Sequence, residues 1–409
     1  MTAVALALPG RVRLVALPPL TLYVHIPWCL KKCPYCDFNS HEARGAVPEE
    51  EYVRAVVADL EASVPKVWGR RVHAVFFGGG TPSLFSAAAI DRLLTAARTL
   101  LPVEPDAEVT LEANPGTFEQ AKFRDFRGAG VNRLSVGIQS FDARHLKAIG
   151  RVHDAQEARR AAEIAMAIFP NVNLDLMYAL PGQSRGEALA DVGAAIGYGP
   201  AHLSAYHLTL EPNTWFHRYP PELPDDDAAA AMQEAIEEAL AAAGYGNYET
   251  SAFARPGMRS RHNLNYWNFG DYLGVGAGAH SKLSYPERVV RETRFRQPKA
   301  YQERALAGDA IQEAHEVAAA ELPFEFMMNA LRLTDGFPVA LFAERTGLAL
   351  ASVEQPLARA EAAGLLERDA FAIRPTLRGR RFLNDLLGLF LPEPARSSTT
   401  PEAKSPRKV

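Results

Sequence analysis

Along residues 21–244, short runs of β-branched and other apolar residues alternate with Ala-rich stretches of helical period. The runs predict six strands: Thr21–Ile26, Val72–Phe77, Ala107–Glu112, Arg133–Ile138, Val172–Tyr178 and Leu203–Leu210. Between them the pattern predicts helices over Glu49–Ser63, Ala87–Leu100, Phe118–Gly128, Ala155–Ile168 and Glu187–Ile196. A further helix, Asp225–Ala243, opens on an Asp run that suits the positive end of a helix dipole and stops at Gly244. Regular strand–helix alternation implies parallel strands joined by crossover helices. Six units fall short of the eight that close a barrel. The expected fold class is therefore α/β, an open, partial (β/α)6 barrel of TIM type.

The pattern changes near residue 251. Arg255–Pro298 is rich in Gly, Asn, Tyr and Arg and predicts a loop-dominated connection with one or two strands. From Ala320 to about Leu391 short amphipathic helices dominate. There Phe337–Gly347, Ser352–Gly364 and Leu365–Pro375 read as helix, helix and short β-wing, a mainly helical, winged-helix-like unit. The last stretch, Pro392–Val409, is rich in Pro, Ser, Thr and Lys and is expected to be disordered. The chain thus divides into an N-terminal extension (1–20), a barrel (21–250), a connecting region (251–319), the winged-helix-like unit (320–391) and a tail (392–409).

Composition narrows the function classes. With 48% hydrophobic and 22% charged residues, the 409-residue chain can bury a sizeable core. A net charge of −4 supplies no basic field for nucleic acid, so Arg378, Arg380 and Arg381 read as solvated surface rather than a DNA contact. Met1–Leu20 is interrupted by prolines and by Arg11 and Arg13 and lacks the form of a signal peptide. No apolar run reaches the length of a membrane span, and a cytoplasmic location is expected.

All 3 cysteines fall in Cys29-Leu30-Lys31-Lys32-Cys33-Pro34-Tyr35-Cys36, directly after the first strand. An odd number packed so closely is no disulfide framework. The C-x3-C-x2-C spacing can wrap three thiolates round an iron–sulfur cube and leave the fourth iron without a protein ligand. A structural zinc site is the alternative, but it wants four ligands, and His25 lies back within the strand. An open iron can chelate the amino and carboxylate groups of a methionine moiety. Further candidates gather at strand ends, where α/β barrels place their chemistry. Gly78-Gly79-Gly80-Thr81-Pro82 follows the second strand, and Glu112 ends the third. Gln139 follows the fourth, Arg151 lies in the next loop, and Asp175 is on the fifth.

The cysteine motif on the first strand of a βα array resembles the radical-SAM superfamily. Leu22–Cys36 is more specifically similar to oxygen-independent coproporphyrinogen III oxidases and their relatives, the HemW-type haem chaperones. The likeness extends from Thr21 to about Leu391. It implies a [4Fe–4S] cluster on Cys29, Cys33 and Cys36, with S-adenosylmethionine at the open iron. Tyr23, Gly79, Glu112 and His280 match positions serving that cofactor. Tyr35, Gly80, Thr81, Gln139, Arg151 and Asp175 match positions around a second molecule of it.

Two features separate chaperone from oxidase. The oxidases carry a fourth cysteine two residues after the third, where this chain has Phe38. His262-Asn263-Leu264-Asn265-Tyr266-Trp267 matches the H-N-x-x-Y-W motif of the HemW type. Imidazole can ligate haem iron, and aromatic rings can stack on a porphyrin. His262, Tyr266 and Trp267 are therefore the candidate haem residues. The resemblance implies a haem chaperone that passes haem to an acceptor haem protein, a respiratory one at the membrane, and forms a homodimer. A radical-SAM oxidase of coproporphyrinogen is the enzymatic alternative.

Overall fold

A computed structural model describes residues 12–116 and 120–392. The first eleven residues, the expected helix start at Phe118 and the tail beyond 392 lie outside the described residues. The six expected strands are present as β1 (Leu20–Ile26), β2 (Val72–Gly79), β3 (Val103–Ala113), β4 (Arg133–Gln139), β5 (Asn171–Tyr178) and β6 (His202–His207). Each pairs in parallel with the next, the topology of an open partial barrel. The crossovers carry α1 (Glu49–Ser63), α2 (Ala87–Leu100), α3 (Gln120–Gly128), α4 (Ala143–Ala148), α5 (Ala155–Ile168) and α6 (Arg185–Tyr198). After β6 comes α7 (Asp226–Ala242). Asp154 with Glu157, and Ser184 with Glu187, form capping boxes that start α5 and α6. The short α4 was not expected; Asp142 caps it by accepting from Arg144 N and His145 N.

Parallel strands covered on both faces usually read as continuous apolar runs. Here they alternate. Leu20, Leu22, Val24 and Ile26 of β1, Leu134, Val136 and Ile138 of β4, and Val172, Leu174 and Leu176 of β5 join the helices in the main core. The intervening residues of β4 and β5, among them Arg133, Ser135, Asn173 and Asp175, face an interior cavity instead. The barrel keeps its hydrophobic core outside its strands and a polar lining within.

The connecting region differs from expectation. Rather than loop with one or two strands, it extends the sheet at both ends. β7 (Gly246–Glu249) and β8 (Ala252–Ala254) add antiparallel beyond β6. On the other side β9 (Asp271–Val275) pairs parallel to β1, and β10 (His280–Tyr285), β11 (Arg288–Arg294) and β12 (Ile311–Glu316) continue antiparallel. Among the described residues this gives one twelve-stranded sheet, β12-β11-β10-β9-β1-β2-β3-β4-β5-β6-β8-β7. The strands escaped the sequence pattern because charged residues are buried in them as mutually satisfied groups. Asp271 accepts from Lys282 Nζ at 2.9 Å and from Ser284 N and Oγ at 2.7 Å, and Arg70 lies 2.8 Å away. Arg294 is likewise buried against Asp59 and Glu292.

Residues 261–267 form a helix, α8 (Arg261–Trp267), capped by the Ser260 side chain. Backbone N–H groups of Arg261 and His262 also donate to the Glu108 carboxylate, at 3.2 Å. Asn265 Nδ2 reaches Thr21 Oγ1 at 3.3 Å. Thr21 and Glu108 lie toward the strand starts, so α8 crosses the end of the barrel opposite the cysteine loop. Beyond it come α9 (Leu322–Ala330), α10 (Val339–Thr346) and α11 (Glu354–Ala362). A hairpin of Leu366–Arg368 and Ala372–Pro375 completes the winged-helix order around a second core. Among the described residues no helix is long and apolar enough to cross a membrane.

The Asp271 cluster generates a stability prediction. Burial alone would raise its carboxyl, but Lys282 and Arg70 outweigh that and hold it below the usual range. A depressed carboxylate contributes its stability above the unfolded-state value, and that contribution is lost below about pH 4. Asp271→Asn leaves Lys282 and Arg70 buried without their counter-charge and should cost on the order of 3–5 kcal/mol. The denaturant midpoint at neutral pH checks this, and a loss under about 1 kcal/mol would contradict it.

Candidate functional site

The loop after β1 is zipped to its neighbours by backbone. Gly80 N donates to Ile26 O at 2.8 Å, Thr81 N to Trp28 O at 2.7 Å, and His41 N to Pro27 O at 2.7 Å. His25 Nε2 donates to Asn39 O at 2.9 Å, which leaves Nδ1 to accept from Tyr23 OH at 3.0 Å. Burial pushes the His25 imidazole down to about 4, so it is neutral and this pattern holds at physiological pH. Asn39 Nδ2 in turn donates to Ala277 O and Arg296 O, each at 2.9 Å.

The loop's shape is therefore fixed without using a cysteine. Cys29, Cys33 and Cys36 are free, partly exposed, and line one cavity of about 810 Å³. Thr81 Oγ1 donates to Cys29 Sγ at 3.6 Å and accepts from Asn114 Nδ2 at 2.8 Å. Arg151 Nη2 donates to Asn114 Oδ1 at 2.7 Å, and its Nη1 to Cys33 Sγ at 3.5 Å. Cys36 Sγ lies 3.8 Å from Ser40 Oγ. An arc of hydrogen bonds thus runs from one sulfur to another, and donors around thiolates are what an iron–sulfur cluster uses. Burial pushes the Cys29 and Cys36 thiols up, so holding them as thiolates calls for metal charge. The residues fit a cluster held by three cysteines.

The glycine turn is required by close approach. A Cβ on Gly79, whose φ is +113°, would sit 2.4 Å from the His25 ring, and one on Gly80 would sit 2.5 Å from Trp28 O. Gly79 N donates to Glu112 Oε2 at 3.1 Å. Enclosure, together with the nearby Asp175 charge, pushes the Glu112 carboxyl up to about 8. Asp175 accepts from Ser135 Oγ and Asn173 Nδ2, both at 2.8 Å. Gln139 ends β4 at a φ of +66°, an unusual conformation for a residue other than glycine, and also lines the cavity.

Most of the sequence-predicted residues meet in this cavity: the cysteines, Tyr35, Gly79, Gly80, Thr81, Glu112, Gln139, Arg151 and Asp175. Tyr23 and His280 are not in its lining. Tyr23 supports His25, while the exposed His280 starts β10, with its Nδ1 3.2 Å from Thr293 Oγ1. Of α8, Asn263 lines the cavity, whereas His262 is only 5% exposed. Its ring stacks on Phe76 at 4.6 Å and tilts against Tyr266 at 4.8 Å. Burial pushes this imidazole down to about 3, and its Nδ1 has no hydrogen-bond partner. Tyr266 stacks on Tyr272 at 4.2 Å, and Trp267 lies under the Arg332 guanidinium at 4.4 Å. Phe38 stands 59% exposed at the rim, beside Leu30 and Val152. Sequence reasoning missed Arg133, Ser135, Asn173 and Tyr206 in the lining. Alternation of polar with apolar residues on a parallel strand was the signal that could have found them.

Residues 23–192 match the Radical SAM superfamily, and residues 317–382 match the HemN C-terminal domain. The chain is 49% identical to the Escherichia coli protein named "Heme chaperone HemW", over 93% of this chain and 100% of that one. Its identity to the Bacillus subtilis protein of the same name is 35%, over 91% and 99%. Among solved structures it resembles Escherichia coli coproporphyrinogen III oxidase (HemN), with a TM-score of 0.78 over 91% of this chain and 90% of that one. At 23% identity, that likeness establishes the fold alone. With its full-length identity to proteins of that name, the chain belongs to the HemW family of haem chaperones within the radical-SAM superfamily.

Proposed function

We propose that the chain is a cytoplasmic carrier that binds haem at this cavity and passes it to an acceptor haem protein, a respiratory one at the membrane. Cys29, Cys33 and Cys36 hold a [4Fe–4S] cluster in this reading, and a homodimer is its working form. When bound, the cluster supplies an open coordination position for the methionine end of an exchangeable S-adenosylmethionine. Glu112 accepts the ribose hydroxyls, and Gly79 lets backbone approach. Tyr23 and His280 serve that same molecule, Tyr23 through its hold on His25. Tyr35, Gly80, Thr81, Gln139, Arg151 and Asp175 are the places for a second molecule; Thr81 and Arg151 also tend the thiolates.

The observation that supports haem carriage most is that the cysteine loop and, through Asn263, the H-N-x-x-Y-W helix line one cavity with an apolar rim. Leu30, Phe38 and Val152 offer exposed apolar surface to a flat, greasy ligand. His262, Tyr266 and Trp267 are the haem-side residues. His262 is neutral, as an iron ligand must be, but it is covered by its ring neighbours. Its coordination of iron therefore requires α8 to shift.

Anaerobic reconstitution should load about four irons per chain, and Cys33→Ala should abolish the cluster. Full iron content in that variant would remove the cluster assignment. Affinity for S-adenosylmethionine should rise with pH toward about 8 and level off above it, because Glu112 accepts from both hydroxyls only once deprotonated. Glu112→Gln should flatten that profile and weaken binding by roughly 1–3 kcal/mol; calorimetric titration across pH 6–9 decides it, and an unchanged slope would count against the role. The purified protein should take up about one haem per chain with a shifted Soret band, and His262→Ala should change that spectrum or its retention. The same preparation, given coproporphyrinogen, S-adenosylmethionine and a reductant, should leave the porphyrinogen unconsumed and pass haem to an apo-acceptor. Turnover without stable haem binding would favour the oxidase.

A further inference from the structure

Among the described residues, Arg133 stands apart from the other buried or half-buried arginines around the site, whose guanidinium groups form hydrogen bonds or ion pairs. Arg294 has Asp59 and Glu292, Arg70 has Asp271, and Arg151 has Asn114, Gly137 O and the Cys33 sulfur. Arg133, the first residue of β4, is only 2% exposed and points into the cavity. Its Nε has no hydrogen-bond partner, and among the described residues no carboxylate forms an ion pair with it. Two acids of the lining, Glu112 and Asp175, feel its charge but direct their hydrogen bonds to other groups. Asp175 is bonded to Ser135 and Asn173, and Glu112 to Gly79 N. A guanidinium held out of water without an anion is strongly unfavourable, and its fork of donors matches a carboxylate in two-point fashion.

We infer that Arg133 is an anion-binding residue at the cavity floor that receives the carboxylate of the cargo, a propionate of haem. This rests on the haem-carrier reading. The carboxylate of the cluster-bound S-adenosylmethionine is taken by the open iron in that reading; that of a second S-adenosylmethionine is the other source of the same chemistry, and titration with S-adenosylmethionine tells the two apart. Arg332 also lines the cavity, yet it lies over Trp267 and 3.8 Å from Glu249. Lys31 is exposed, and Arg151 is hydrogen-bonded to Asn114, Gly137 O and Cys33. Among the described residues Arg133 is therefore the buried cation of the lining whose side chain has neither a hydrogen bond nor an ion pair.

The test compares the reconstituted parent with Arg133→Met and Arg133→Lys, titrated with haem, haem dimethyl ester and S-adenosylmethionine. Arg133→Met should weaken haem binding at least tenfold and leave the ester unchanged, while Arg133→Lys, which keeps a positive charge near Glu112, should retain part of the haem affinity and leave S-adenosylmethionine binding unchanged. Because an uncompensated buried charge is removed, the ligand-free unfolding midpoint of Arg133→Met should equal or exceed the parent's. Equal haem affinity in parent and variant, equal losses for haem and ester, a loss confined to S-adenosylmethionine, or a lowered midpoint would each overturn the assignment. A parent chain that takes up no haem would remove the carrier reading itself, and this assignment with it, before any variant is compared.

Discussion

Three thiols must face one point while none of them is spent on holding the loop that carries them. The protein meets that constraint with His25 and Asn39. The neutral imidazole is fixed on one side by Tyr23 and on the other donates to Asn39 O, so the segment after Cys36 is tied to the strand before Cys29. Asn39 then draws in the turn after β9 through Ala277 O. That turn is shaped to fit. A Cβ on Gly276 would meet His25 O at 2.3 Å, and one on Gly278 would meet Asn39 Nδ2 at 2.3 Å. The parallel seat of β9 beside β1, and with it the buried Asp271–Lys282 pair, is the support on which this tie rests.

A division of labour within each strand follows from the alternation. Outward residues such as Leu134, Val136 and Ile138 bury their side chains against the helices, each contributing on the order of 1.5–3 kcal/mol. Inward residues contribute little to that total and are free to carry charge and hydrogen-bonding groups. Arg133 and Asp175 can stand in the interior because stability is supplied from the other face of the same strands.

Much of this was legible in the sequence. Hydrophobic spacing located all six parallel strands and gave the bounds of α1, α2 and α5. The cysteine spacing and the glycine turn identified the mouth of the cavity, since both are local in sequence. What stayed hidden depends on partners far along the chain. Asp271, Lys282 and Arg294 look like surface charges until their ion pairs are seen, so β9 to β11 read as loop. Asn114 looks ordinary until it is found between Thr81 and Arg151. His262 reads as a loop residue beside aromatics, whereas the Ser260 cap and the Glu108 carboxylate make it part of a helix.

The placement of α8 has a consequence for traffic. By lying across the strand starts, it covers one end of the barrel, while the cysteine loop borders the other. A ligand that enters on the side of the cysteine loop therefore passes the three thiols before it reaches Arg133 at the start of its strand.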